Sequence, residues 1–368
     1  MSSDHLVLLG DAASVHMQRW AREMRARGWR VSLVTARPAP KTLEALHGVR
    51  QVTLPPAECS CDWLWRAGAA RRALQRLQPG IVHAHYVTSY GYLAARASGW
   101  LRRAGVPVVM SAWGSDLLVT PRESALKRLL TAWTLRRADA VTGASPDLLA
   151  AARAFAPGVR TALIHWGVER ERFAPAPWAD KPGFEAVSLR SWEANYRIDT
   201  ILDGLALLRA RQPDRAWRLH LLGGGSLEAA LRAQTARLGL QGAVQFHGRL
   251  DDAGMAAVLA RCKLSISVPV SDATSVSVLE SMACGLPVIA SDLPANRDWL
   301  DPALLVPAGD AAALARRWQT LADDDAHAWR IGAANAGRIA REGGRKAQMD
   351  AVDRLYRDLL AGRRGARS

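Results

Sequence analysis

Short apolar runs alternate with longer amphipathic stretches along this sequence, and the alternation begins twice. In the first half HLVLLG reads as a strand, SVHMQRWAREMRARG as a helix ending at Gly28, and WRVSLVT as the next strand. IVHAH, PVVMSAWGSD, ADAVTGAS and TALIHWG continue the series. A chain that returns to a strand after each helix builds a parallel sheet, because the helix is the crossover that restores strand direction. The proline-rich FAPAPWADKPG interrupts the pattern, and FEAVSLR, WRLHLLGGG, AVQFHG, KLSISV, PVIAS and ALLVPA restart it, with helices such as RIDTILDGLALLRARQ between. The expectation is an α/β chain of two Rossmann-like, doubly wound parallel-sheet domains. They span residues 1–175 and 183–345, with a linker over 176–182 and a helix over 346–368 that crosses back to the first domain. A length of 368 residues also exceeds one ordinary core. Open parallel sheets bind ligands beyond the carboxyl ends of their strands, so the expected site is a cleft between two such edges.

The formal net charge is +15, and arginine carries it, since the lysines are Lys41, Lys127, Lys181, Lys263 and Lys346 alone. Such a field suits anionic membrane surfaces, nucleic acids or phosphorylated substrates. Compact basic helices and aromatic RNA-reading motifs are missing, which argues against specific nucleic-acid binding. The sequence contains neither an apolar run of membrane-spanning length nor a basic leader followed by an apolar stretch, so a cytoplasmic protein, able to rest on the inner face of the membrane, is expected. Cys59 and Cys61 in ECSCDW have no second pair at zinc-site spacing, and with Cys262 and Cys284 they read as free thiols of a reducing compartment.

The segment SDATSVSVLESMACGLPVIASD (271–292) carries two acids, Asp272 and Glu280, around a polar turn, followed at once by a small-residue strand. Together with SVHMQRWAREMRARGWRVSLVT, HWGVERERFAP, LHLLGGGS and VQFHGRL it resembles the family-four retaining glycosyltransferases (glycosyltransferase group 1) of the GT-B fold, over nearly the whole chain. That family usually shows two glutamates at this spacing, followed by AMACGLPV. The resemblance implies transfer of a sugar from a nucleoside-diphosphate donor to a glycan, lipid-linked or small-molecule acceptor, in polysaccharide or cell-envelope synthesis, with retention and without a metal or other cofactor.

A nucleotide sugar presents a ribose, a pyrophosphate and a sugar ring, and each needs its own kind of group. Glu280 can accept two hydroxyl protons from the ribose, and Asp272, shorter than the usual glutamate, can hold sugar hydroxyls. The backbone amides of Thr274, Ser275 and Val276 would meet a phosphate at the helix N-terminus. Ser275 stands where the family usually has glycine. The plainer reading makes Asp272 an N-cap and Glu280 a solvated helix residue. Arg190, closing FEAVSLR, matches the family's phosphate-binding arginine; the alternative is a surface charge at a strand end. A lysine usually follows, and here either Arg197 replaces it or Tyr196 occupies its place. Gly223 and Gly224 suit both close approach to a ligand and a tight turn, and Gly248 and Arg249 would lie near the base.

In the first domain Gly10 and Asp11 form the loop after the first strand, with His16 just inside the next helix and His85 ending IVHAH. These, with Trp113, are the acceptor-side candidates. Many relatives have histidine before the glycine where Trp113 precedes Gly114, while Asp116 keeps the acid of that motif and joins Arg190 and Asp272 as a catalytic candidate. Two other readings stand beside the enzyme: a non-catalytic sugar-nucleotide-binding partner of a glycosyltransferase, and a basic nucleic-acid-binding protein.

Overall fold

The computed structural model describes residues 4–40, 46–56 and 62–365. The chain forms two compact units, Met1–Trp166 with Gln348–Ser368, and Gly167–Ala347.

The first unit holds strands β1 (His5–Leu9), β2 (Arg30–Thr35), β3 (Arg50–Thr53), β4 (Ile81–His85), β5 (Val108–Ser111), β6 (Ala140–Gly143) and β7 (Arg160–Leu163). They form one parallel sheet in the order β3-β2-β1-β4-β5-β6-β7. β1 and β4 are buried along their whole length, as strands covered on both faces must be. The helix Val15–Ala26, the crossover from β1 to β2, buries Met17, Trp20, Ala21 and Met24, one stripe at helical spacing. Gly28 then turns the chain at φ +86°. The last helix, Arg345–Gly365, places Met349, Val352, Leu355 and Tyr356 in the same core as Leu6, Trp20 and Trp29. Charged pairs fasten it: Arg27 to Asp350 at 2.9 Å and Arg160 to Asp358 at 3.1 Å.

The second unit holds β8 (Glu185–Ser188), β9 (Arg218–Leu222), β10 (Val244–Gly248), β11 (Leu264–Ser267), β12 (Val288–Ser291) and β13 (Leu305–Val306), parallel in the order β10-β9-β8-β11-β12-β13. Neighbouring residues of a strand serve opposite faces. Ala186 and Ile289 accordingly join one apolar cluster, while Val187 and Val288 join the other.

Residues 176–182 do not separate the units as a linker would. The division falls between Trp166 and Gly167, because Val168 pairs with Gly344 and Phe173 enters the second core. Lys181, in the expected linker, is buried and donates to the Cys262 carbonyl at 2.5 Å. Cys262 and Cys284 are buried free thiols whose pKa values burial raises, that of Cys284 to about 12. Cys59 and Cys61 lie outside the described residues. Among the described residues no helix is long and apolar enough to cross a membrane.

Candidate active site

Each sheet has one point where its winding reverses, between β1 and β4 in the first unit and between β8 and β11 in the second. Loops leaving such a strand pair diverge and open a crevice at the carboxyl edge. In the second unit those loops carry Arg190 after β8 and Asp272 after β11. Arg190 is 9 % exposed, not a surface charge. Its Nη2 donates to Asp272 Oδ2 at 2.6 Å, and its Nη1 donates to Ser275 Oγ and, at 3.0 Å, to Ser277 Oγ. The guanidinium lies 4.3 Å from the Tyr196 ring centre. Burial raises the Asp272 pKa, and the charge and hydrogen bond of Arg190 pull against that rise. Arg190 Nε, Ser188 Oγ and Ser267 Oγ, all at this switch point, find no hydrogen-bond partner among the described residues. Buried polar atoms are normally paired, so these groups can receive a polar ligand or water.

The helix Val276–Ala283 begins at this crevice, with Ser275 at its N-cap position and Thr274 buried just before it. Ser275 therefore takes the cap position that the plainer reading gave to Asp272, and its side chain makes no cap bond because it is turned to Arg190. Its φ of −73° is ordinary extended backbone, so no glycine is required there. The first amides of the helix keep their donors directed outward along the axis. Glu280 is the fifth helix residue and only 4 % exposed, which removes the solvated alternative.

Gly223, at φ +148°, lies where an added Cβ would come within 2.4 Å of the Arg190 carbonyl oxygen, and Gly225 stands likewise against the Trp192 carbonyl at 2.4 Å. The glycine run is thus a packing requirement that lets the β9 loop support the backbone of Arg190. The Gly223 amide donates to the Gly248 carbonyl at 2.8 Å, Gly248 itself takes φ +70°, and a Cβ on Gly224 would meet exposed Arg249 at 3.3 Å. Arg197 is committed to Asp199 through three hydrogen bonds of 2.8–3.1 Å, so Tyr196 is the residue that stands at Arg190. Two contributors escaped sequence reasoning. Ser277 was signalled only by the run of small hydroxyls in TSVS, whereas Asn195, which grips Ser271 by two bonds of 2.9 and 3.2 Å, has no signature at all.

In the first unit Gly10 follows β1 and His85 ends β4; a Cβ on Gly10 would lie 3.6 Å from that of His85. Asp11 receives the Ala13 amide at 2.9 Å and faces Arg37 at 3.5 Å. His16, Trp113 and Trp166 form an aromatic group, with ring centres 4.6 Å apart for His16 and Trp166 and 4.8 Å for Trp113 and Trp166. His85 lies within 6.0 Å of Trp113, and neither of its nitrogens, nor Trp113 Nε1, has a hydrogen-bond partner among the described residues. Burial and His16 lower the His85 pKa to about 3, so its ring is neutral. Asp116 is fully buried and accepts from the amides of Val87, Trp113 and Gly114 at 2.7–3.0 Å. Those bonds make it a positioning residue for the Trp113 turn. Among the described residues Glu185, His220 and Cys262 stand at metal-ligand spacing, but Glu185 is already bonded to His220 and Arg261, each at 2.9 Å.

Residues 5–145 match the family described as Glycosyl transferase 4-like, and residues 186–324 match Glycosyl transferases group 1. The chain belongs to the group 1 glycosyltransferases. As a glycosyltransferase it is similar to EpsD of Bacillus subtilis, named for the same activity, with 28 % identity over 68 % of this chain and 69 % of EpsD. It is 26 % identical, over 75 % of this chain and 74 % of the relative, to the GDP-mannose-dependent alpha-(1-6)-phosphatidylinositol dimannoside mannosyltransferase of Mycobacterium tuberculosis. The GT-B fold is shared with sucrose-phosphate synthase from Thermosynechococcus elongatus (TM-score 0.79, 21 % identity, 98 % of this chain and 100 % of that one). Anabaena HepE, solved with UDP and glucose, has the same fold (TM-score 0.78, 16 % identity, 96 % and 99 %).

Proposed function

We propose that this glycosyltransferase takes its sugar from a nucleoside-diphosphate donor held by the second unit and passes it, with retained configuration, to a glycan or lipid-linked acceptor held by the first. The observation that carries the reading is Arg190, buried at the β8/β11 switch point beside Asp272 and beside the first turn of the Val276–Ala283 helix. A fixed guanidinium and a helix N-terminus are the two devices that receive a diphosphate. HepE, solved with UDP and glucose, and the GDP-mannose-dependent relative support a nucleoside-diphosphate donor, and the two differ in the base.

As the glycosidic bond stretches, negative charge gathers on the leaving phosphate, and Arg190 meets it without a metal. That phosphate can take the acceptor proton on the same face of the sugar. Neutral His85 and Trp113 Nε1 supply an acceptor and a donor for a sugar hydroxyl. Asp272 orients Arg190 and can bind donor-sugar hydroxyls, while Glu280 takes the ribose.

The test is a thermal-shift screen of UDP-, GDP- and ADP-sugars, followed by mass spectrometry and anomeric assignment of the product, with and without EDTA. A stabilising donor whose sugar appears in an α-for-α product, EDTA present, is the expected outcome. Binding without transfer to any glycan or lipid-linked acceptor would favour the non-catalytic reading.

A further inference from the structure

The helix Ala125–Leu135 turns an apolar stripe outward. Leu126, Leu129, Leu130 and Trp133 follow one another at the i, i+3, i+4, i+7 spacing of a single face. Such a stripe ordinarily fills the core. Here Leu126 is 66 % and Leu129 68 % exposed, Leu130 and Trp133 are half-buried, and the inward face is made of Thr131, Thr134 and Leu135. Contiguous exposed apolar side chains mark a contact surface.

Beside the stripe lies a cavity of about 480 Å³, lined by Trp63, Tyr86, Tyr92, Leu126, Leu130 and Thr134 among others. One wall is the π-helical turn Tyr86–Gly91, which opens with Tyr86 at φ +75°, a conformation that a bulky residue rarely adopts and that clusters at functional sites. The Tyr86 hydroxyl is tied to Ser115 Oγ at 2.6 Å, one residue from the Trp113–Gly114 turn. The cavity therefore adjoins the acceptor-side loops of the same unit.

The surroundings are cationic. Arg122, just before the helix, and Arg136, at its C-cap, are exposed. Arg137 lies 3.8 Å from the Trp133 ring centre and feels the like charges of Arg102 and Arg96. Glu123, the acid that lines the cavity, is paired with Lys127. Leucines and a tryptophan flanked by arginines are the composition of a surface that lies in a lipid headgroup layer.

We propose that this face of the first unit docks on an anionic lipid bilayer, its leucine stripe at the acyl boundary and its arginines at lipid phosphates, and that the cavity receives a hydrocarbon chain of the lipid-borne acceptor. The second half of the statement rests on the glycosyltransferase reading above; the docking half does not.

Co-sedimentation with vesicles of phosphatidylglycerol and phosphatidylcholine tests it. The protein is expected to pellet with them at low salt, to be released by high salt, and to ignore phosphatidylcholine alone. Leu126→Ser/Leu129→Ser, which leaves the core intact, is expected to weaken vesicle binding about tenfold or more, since two leucines lose their apolar contact. With brominated acyl chains in the vesicles, tryptophan emission is expected to be quenched, and less so in Trp133→Phe. Filling the cavity through Ser89→Phe, at a residue that also lines it, is expected to slow transfer to a lipid-linked acceptor more than to its lipid-free glycan. Failure of the wild type to pellet, or serine variants that bind equally well, would overturn the docking surface; equal slowing on both acceptors would overturn the cavity assignment. Vesicle binding needs no sugar nucleotide, so a protein that docks without transferring sugar defeats only the proposed donor chemistry.

Discussion

Arg190 has four polar or aromatic neighbours in its own unit, and its Nε still finds no partner among the described residues. Its direction is fixed before any ligand arrives, which is what makes a charge effective in a transition state. Arg190→Ala is expected to lower turnover about a hundredfold or more, as loss of a preorganised donor typically does. Arg190→Lys is expected to recover only part, because an ammonium cannot span Asp272 and the two serines together. Steady-state kinetics in EDTA checks both, and unchanged turnover in the alanine variant would transfer the role elsewhere. His85 makes a different kind of residue-scale statement. Its pKa is about 3 in the fold and about 6.5 when unfolded, so between those values the unfolded chain takes up a proton that the folded chain refuses. Stability of the first unit is therefore expected to be complete above about 6.5 and to fall with acid down to about 3, at about 1.4 kcal/mol per pH unit for this histidine. Buried His83, also lowered, adds to the slope. Urea midpoints measured across that range check the sign, and His85→Gln is expected to flatten the curve; an unchanged slope would mean that the ring is reached by water.

At the scale of elements, the sequence shows the central strands more clearly than the edges. β1 is read from its LVLL run, and β4, β8 and β11 from short stretches in which Val, Ile, Leu and Ala are interrupted only by His, Ser or a leading Glu, since a strand covered on both faces has few polar positions. β3, RQVT, is an edge strand with exposed ends and no apolar run, so nothing in its pattern distinguishes it from a loop. In the candidate site, the charged residues Arg190 and Glu280, both buried, could be picked out from the sequence. The loop clamp at Asn195 could not, because hydrogen bonds between loops depend on tertiary approach that no local spacing encodes. The glycine run after β9 sits between these cases, readable as a turn but not as a support for Arg190. Its role can be tested by comparing two glycines of positive φ. Gly239→Ala, at φ +64° in open space, meets only backbone strain of about 1–2 kcal/mol. Gly223→Ala meets the Arg190 carbonyl at 2.4 Å as well. It is expected to cost clearly more in a urea melt, about 3 kcal/mol or above by adding a steric clash to strain, and to weaken donor binding, which Gly239→Ala leaves alone. Equal costs would show that the β9 loop moves away freely.

The chain as a whole completes its first unit last, because the stretch from Gln348 onward packs against strands made at the very beginning. The second unit, Gly167–Ala347, is continuous and needs no such return. Tyr356 is the residue where this dependence concentrates: it is fully buried, its hydroxyl accepts from Trp20 Nε1 at 3.1 Å, and it hydrogen-bonds His83 Nδ1. Removing only that oxygen leaves two buried polar atoms short of a partner, which costs about 1–3 kcal/mol. Removing the ring also opens a large hole among Trp29, His83 and the neighbouring leucines, at about 3–5 kcal/mol. Tyr356→Phe and Tyr356→Ala are therefore expected to destabilise in that order, and only in one half of the molecule. Hydrogen exchange followed by mass spectrometry reads this directly. Protection is expected to fall in β1 and β4 and to persist in β8 and β11, because among the described residues the apolar cluster that holds Tyr356 contains only residues of the first unit. If protection fell equally in both sheets, the units would unfold as one cooperative body, and the closing helix would be holding the whole enzyme instead of its first unit.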